Sequence, residues 1–208
     1  MAGAHLEDFP LFPLPMVLLP TEIVPLHIFE ERYKEMIATC LDDETEFGIL
    51  WLSDDGLKEV GCTARVTEVL ERADDGRMNI LVQGANPFRL LERRDDRAYP
   101  AGTVELLDDR SEQTAPKVGE EARESFAQLV ERVTDRRPEQ EILARLGAYE
   151  MAASVDIGTE VKQGLLELRS EQARLRLLSR LFKAAMERLD VAERIAEHAR
   201  HNGKVRLS

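Results

Sequence analysis

The chain has 208 residues, of which 33% are charged and 43% hydrophobic, and its formal net charge is −12. This length supports one core, or one core with a helical appendage. No apolar run approaches the roughly 18 residues of a membrane-spanning helix, and residues 1–8 lack the basic and apolar stretches of a secretory signal. We therefore expect a cytoplasmic protein with no membrane segment, whose two cysteines are free thiols.

The charge is unevenly distributed along the chain. From Lys162 onward there are 11 basic and 6 acidic side chains, whereas residues 1–161 carry 17 and 34. An acidic body repels nucleic-acid phosphates. Binding of nucleic acid is therefore unexpected, except through the basic C-terminal segment.

Prolines recur at short intervals in the first predicted elements. Pro15, Pro20 and Pro25 each fix φ and remove a backbone donor, so the residues between them are predicted to form short edge strands or extended turns. Apolar side chains in such a segment, Met16 and Leu18, are expected at the surface. From Phe29 onward the apolar residues follow a helical period. They are Phe29, Tyr33, Met36, Ile37 and Cys40.

A set of short strands follows this helix. Residues 47–52 form an apolar run typical of a buried strand, and residues 61–72 and 78–83 flank an Asp-Gly turn and predict a hairpin. Gly84 predicts a bulge that re-aims Phe88, and residues 99–107 predict a last strand. Short bent strands around one helix indicate a small closed or partly closed β-barrel.

The polar stretch 108–118 is the predicted boundary, and everything after it has helical periodicity. Pro138 is expected to open a helix whose inner face carries Ile142, Leu146, Tyr149 and Ala153. Thr159 and Ser170 are predicted caps of two later helices. We expect an α+β protein, with a bent barrel in residues 1–112 and a helical bundle in residues 113–208.

Three segments resemble the Lon protease N-terminal domain family, especially its stand-alone bacterial members. They are residues 24–33 (VPLHIFEERY), residues 59–84 with their Val-Gly strand and acidic-Gly turn, and residues 159–167 (TEVKQGLLE). The chain departs from the family pattern at Leu19-Pro20-Thr21, where Phe-Pro-Gly is usual, and at the inserted Asn86-Pro87. The resemblance implies a PUA-like barrel followed by helices, and a role in recognising substrate proteins.

No catalytic, metal or cofactor site is predicted. The chain contains no phosphate-binding Gly-x-x-x-x-Gly-Lys motif and no serine in a Gly-x-Ser-x-Gly context. His198 and His201 lie three residues apart, but zinc normally needs three or four ligands, so a solvated helix end is the better interpretation. A small hydrolase is the interpretation that the sequence favours least.

The resulting functional hypothesis is a non-catalytic module that binds unfolded or partner polypeptides. The candidate contact residues are Met16, Leu18, Phe29, Tyr33, Trp51 and Phe88. The simpler interpretation of the four aromatic residues is that they form the core. The alternative function is an RNA-associated PUA-like protein, which would use a basic C-terminal helix carrying Arg169, Arg174, Arg176, Arg180, Lys183 and Arg188. No oligomeric state is predicted.

Overall fold

The structure is a computed structural model that describes residues 4–94 and 98–202. Within these ranges it has six strands and six helices. The strands are β1 (His5–Leu14), β2 (Ile23–Ile28), β3 (Phe47–Ser53), β4 (Gly56–Arg72), β5 (Met78–Arg94) and β6 (Ala101–Leu106). The helices are α1 (Glu31–Asp42), α2 (Pro116–Thr134), α3 (Gln140–Arg145), α4 (Ala148–Ala153), α5 (Thr159–Glu167) and α6 (Glu171–Asn202). No helix in the described part of the chain combines the length and apolar character needed to cross a membrane.

The strands form one sheet that closes on itself. Its order is β2-β5-β4-β3-β1-β6, and an additional pairing of β5 with β6 joins five of the strands into a ring. β1 and β3 are parallel, and the other pairs are antiparallel. The predicted α+β class and bent barrel are confirmed, with α1 between β2 and β3.

The chain divides into two compact units, and the first is discontinuous. Met1–Ser111 and Ala152–Ser170 form the barrel unit, whereas Glu112–Met151 and Glu171–Ser208 form the helical unit. The predicted helical bundle of residues 113–208 therefore differs from this division, which places Ala152–Ser170 with the barrel. The reason is that α5 buries Leu165 and Leu166, and its Gln163 Nε2 donates a hydrogen bond of 3.1 Å to the carbonyl oxygen of Val60 in β4.

The predicted bulge at Gly84 is present, because the register of β4 and β5 shifts where Cys62 pairs with Pro87 and Ala64 pairs with Gly84. Gly84 also exchanges two backbone hydrogen bonds of 2.9 Å with Thr21 and Glu22. A Cβ atom on Gly84 would lie 2.1 Å from the carbonyl oxygen of Leu19. This position therefore accepts only glycine without displacing the loop.

This loop contains the main error of the sequence prediction. Leu18 was expected at the surface but is only 1% exposed, and Val17 and Leu19 are buried beside it. Between Pro15 and Pro20 the chain is a loop rather than an edge strand, and Thr21 and Glu22 at its end hydrogen-bond to Gly84. Between Pro20 and Pro25 an edge strand does begin, because Ile23 and Val24 belong to β2, which pairs with β5.

Aromatic and aliphatic side chains from several strands form the barrel core. One cluster contains Phe9, Leu11, Leu50, Phe88 and Val104, and the rings of Phe9 and Phe88 meet edge to face at 5.9 Å. α1 contributes its predicted stripe, which is buried from Tyr33 onward. Cys40 and Cys62 are free thiols, and burial raises the pKa of both.

An ion pair attaches α5 to the barrel. Lys162 Nζ lies 2.5 Å from Glu22 Oε1, and both side chains are largely buried. Glu22 also accepts a 2.9 Å hydrogen bond from the backbone N–H of Leu19. The same carboxylate therefore holds α5 and the buried loop.

We expect Lys162→Met to lower the free energy of unfolding of the barrel unit by about 2 kcal/mol, because Glu22 keeps its burial but loses its counter-charge. Urea unfolding followed by the fluorescence of Trp51, the single tryptophan, will measure the change. Adding Glu22→Gln should restore part of the loss. An unchanged urea midpoint in Lys162→Met would show that the pair does not stabilise the unit.

The helical unit is built on α2 and α6, which run parallel. Ala115 N–H donates to Gln172 Oε1 near their first turns, the rings of Phe126 and Phe182 pack at 5.6 Å, and Arg132 pairs with Glu193 near the end of α2. The helix predicted after Pro138 is two short helices. Its predicted inner residue Ile142 is exposed.

Candidate functional site

The barrel unit carries a cavity of about 490 Å³. The ends of β1 and β2, the start of α1 and the hairpin between β3 and β4 surround it. Its apolar lining includes Phe12, Leu14, Phe29, Tyr33, Leu52 and Leu57. Its polar lining consists of His27, Glu30, Arg32 and Arg93. This size and composition are ordinary for a ligand-binding pocket.

Two aromatic pairs shape the cavity. The rings of Phe12 and Tyr33 lie 4.1 Å apart, and His27 stacks on Phe29 at 5.7 Å with an interplanar angle of 21°. Phe29 is 58% exposed, because it precedes the extended residue Glu30 that caps α1 and so does not share the buried face of the helix. The cavity therefore presents a large apolar ring to solvent.

Hydrogen bonds determine the tautomer of neutral His27. Its Nδ1 lies 2.7 Å from Asn79 Oδ1, and Asn79 Nδ2 donates a 2.8 Å bond to Glu71 Oε2. Because the amide NH₂ of Asn79 is engaged by the carboxylate, its oxygen faces the imidazole. We therefore assign the proton of neutral His27 to Nδ1, which leaves Nε2 as an acceptor.

Tyr33 is a buried donor at this cavity. The residue is 5% exposed, and no hydrogen-bond partner of its hydroxyl lies among the described residues. Burial raises the pKa of the Tyr33 hydroxyl, which therefore stays protonated at neutral pH. The guanidinium of Arg32 lies over the ring, 4.6 Å from its centroid, and pairs with Glu30 at 2.7 Å.

The structure brings together only part of the predicted contact set. Phe29 and Tyr33 line the cavity. Met16 and Trp51 are half-buried, and Lys58 Nζ lies 5.7 Å from the centroid of the Trp51 ring. Phe88 and Leu18 are enclosed in the core and cannot contact a ligand at the surface, so including them was wrong.

Sequence reasoning did not nominate His27, Leu52 or Leu57 as contact residues. The apolar run of residues 47–52, which includes Leu52, predicts a buried strand. Leu52 and Leu57 pair across the β3–β4 hairpin, and Leu52 is exposed. The apolar run of β3 continues as far as Leu52, and this is the sequence signal that could have indicated an apolar wall of the cavity at the β3–β4 hairpin.

The described residues contain no group of three or more potential metal ligands. His198 Nδ1 contacts the carbonyl oxygen of Arg194, and the side chain of His201 lies outside the described part of the chain. One of the six basic side chains proposed to bind RNA is not available at the surface, because Arg174 is buried. Its guanidinium is bound to Glu171 and lies 4.4 Å from the centroid of the Tyr149 ring.

Comparison with known proteins assigns the family. Residues 8–184 match the family described as the ATP-dependent protease La (LON) substrate-binding domain. The chain belongs to this family. Among curated proteins, this Lon substrate-binding domain is 28% identical over 204 residues to Lon protease of Anaeromyxobacter dehalogenans, and 25% identical over 208 residues to Lon protease 2 of Myxococcus xanthus. These matches cover 89% and 91% of the chain but only 24% and 25% of the two relatives.

Solved structures show the same fold. A Lon N-terminal domain protein from Xanthomonas campestris superimposes with a TM-score of 0.64 at 23% identity, covering 84% of this chain and 96% of that one. The N-terminal domain of the Mycobacterium avium complex Lon protease gives a TM-score of 0.62 at 19% identity, with 84% and 97% covered. In this Lon substrate-binding domain, the family-like segment Thr159–Glu167 is the helix α5 that Lys162 and Gln163 attach to the barrel.

Proposed function

We propose that this chain is a non-catalytic, cytoplasmic module that binds unfolded or partner polypeptides at the cavity of its barrel unit. The observation that carries the proposal is the match of residues 8–184 to a substrate-binding domain of a protease. The substrates of proteases are polypeptides. The exposed ring of Phe29 beside an apolar cavity provides a surface that can accept an apolar side chain of such a substrate.

The arrangement of polar groups supports binding rather than catalysis. The one carboxylate of the cavity lining, Glu30, is exposed and paired with Arg32, whereas a general acid requires a carboxyl group in an apolar environment. We therefore propose neither a reaction nor a cofactor for this site.

The charge distribution favours polypeptides over RNA as ligands. Residues 1–161, which contain every residue of the cavity, carry 34 acidic and 17 basic side chains. On α6, burial of Arg174 removes one of the six basic side chains of the RNA hypothesis. An affinity for RNA that falls steeply with salt would support that alternative.

We expect Phe29→Ala to weaken binding of fluorescently labelled casein, an unfolded polypeptide, by about tenfold, because exposed aromatic anchors carry much of the energy at interfaces. Fluorescence anisotropy will measure the affinity, and the urea midpoint should stay unchanged. The matched control is Leu70→Ala, since Leu70 is 52% exposed and does not line the cavity. If the wild-type protein fails to bind casein at ~100 μM, the proposed function is wrong.

A further inference from the structure

The cavity lining includes a hydrogen-bond donor, the Tyr33 hydroxyl, and an acceptor, His27 Nε2, that no described residue engages. We propose that the cavity reads the backbone of a bound polypeptide: the Tyr33 hydroxyl donates to a peptide carbonyl oxygen, and His27 Nε2 accepts a hydrogen bond from a peptide N–H. An apolar side chain of the same segment then lies against Phe29. This inference rests on the proposed function and names the chemical groups that are recognised.

The first support is the unpartnered hydroxyl of Tyr33. A tyrosine in a largely buried position normally finds a protein partner for its O–H group. Tyr33 is 95% buried, yet no described residue accepts its proton. Among the described residues, Gln163 Oε1 is the one fully enclosed side-chain polar atom without a partner, so the Tyr33 hydroxyl keeps some accessible surface, and Tyr33 is a lining residue of the cavity. An incoming acceptor would satisfy it.

The second support is the fixed tautomer of His27. The chain of hydrogen bonds through Asn79 to Glu71 holds the proton on Nδ1. His27 is exposed and lines the cavity, and its Nε2 therefore offers a lone pair at the rim.

One donor and one acceptor complement the peptide group, because each residue other than proline carries one N–H and one C=O. A carboxylate would fit less well, since it can accept from Tyr33 but offers His27 no proton. Recognition of this kind depends little on sequence beyond the apolar side chain at Phe29. Such tolerance suits a module that must accept many unfolded polypeptides.

The test uses two variants that keep the aromatic rings. Tyr33→Phe removes one oxygen, and His27→Phe keeps a ring beside Phe29 but removes both nitrogens. We expect each to weaken the binding of labelled casein about three- to tenfold, as expected for one lost hydrogen bond of about 1 kcal/mol. The urea midpoint of Tyr33→Phe should not fall, because its hydroxyl has no internal partner.

A peptide probe tests the acceptor directly. Acetyl-Gly-Ser-Phe-Ser-Gly-amide and its analogue with N-methylated backbone amides will compete with labelled casein. We expect N-methylation to weaken competition against the wild-type protein but not against His27→Phe. The inference is overturned if both variants bind casein like the wild-type protein while Phe29→Ala does not. It is also overturned if Tyr33→Phe loses stability together with affinity. Failure of the wild-type protein to bind casein instead overturns the proposed function itself.

Discussion

Replacing Phe88 with alanine is expected to destabilise the barrel unit by about 3–5 kcal/mol, the usual cost of removing a buried phenylalanine ring. Phe88 is 0% exposed and touches strands on several sides. Its ring occupies the space over Gly48, where an added Cβ would lie 2.6 Å from Phe88 Cζ, and it meets Phe9 edge to face. Alanine would leave a cavity that the rigid ring of strands cannot close.

Urea unfolding followed by Trp51 fluorescence will measure this loss, since Trp51 lies in β3 of the same unit. Phe29→Ala is the matched control, because it removes the same ring from an exposed position and should change the free energy of unfolding by less than about 0.5 kcal/mol. The pair separates a core residue from a contact residue. If Phe88→Ala kept the wild-type midpoint and lost casein binding, our assignment of Phe88 to the core would be wrong.

Gly84→Ala is expected to destabilise the barrel unit by about 3 kcal/mol, at the upper end of the cost of overpacking. The new methyl group would lie 2.1 Å from the carbonyl oxygen of Leu19, and this oxygen belongs to backbone that cannot rotate away. The loop of buried residues 17–20 would have to move, and the hydrogen bonds of the adjoining Thr21 and Glu22 with Gly84 would be broken.

The control for this substitution is Gly164→Ala in α5, where an added Cβ meets nothing within 4 Å. Alanine there should raise the free energy of unfolding by about 0.5–1 kcal/mol, because glycine is the weaker helix former. Both variants are measured by urea unfolding. Equal effects of the two substitutions would contradict the close approach at Gly84.

Periodicity along the sequence predicted the parts of the fold that depend on neighbouring residues. The stripe from Tyr33 to Cys40 is the buried face of α1, and the Asp-Gly turn joins β4 to β5. The bulge at Gly84 also follows from one residue type in a strand. These features are local, so a single segment contains the information for each.

The predictions of burial were wrong where contacts with a distant segment determine which side chains are enclosed. Leu18 is buried because its loop is held by Gly84, 66 positions later. The helix predicted after Pro138 ends at Arg145, so Ile142 and Ala153 do not lie on one continuous helix face. Within α3 the buried side chain is Leu143.

The candidate site shows the same limit. Phe29 and Tyr33 can be nominated from the sequence as large aromatic residues, but the acceptor on His27 depends on Asn79, 52 positions away, and on Glu71 of another strand. Neither partner has a sequence pattern that connects it to His27. The complementary donor and acceptor of the cavity are therefore a property of the folded chain alone.

The discontinuous barrel unit has a consequence for how the protein matures on the ribosome. The chain leaves that unit after Ser111 and returns to it only at Ala152, so the strands are synthesised well before α5 arrives. Until then Glu22 lacks Lys162, and the carbonyl of Val60 lacks Gln163. The barrel unit is therefore complete only after α5 has been synthesised, and until then these two polar groups lack the partners that α5 supplies.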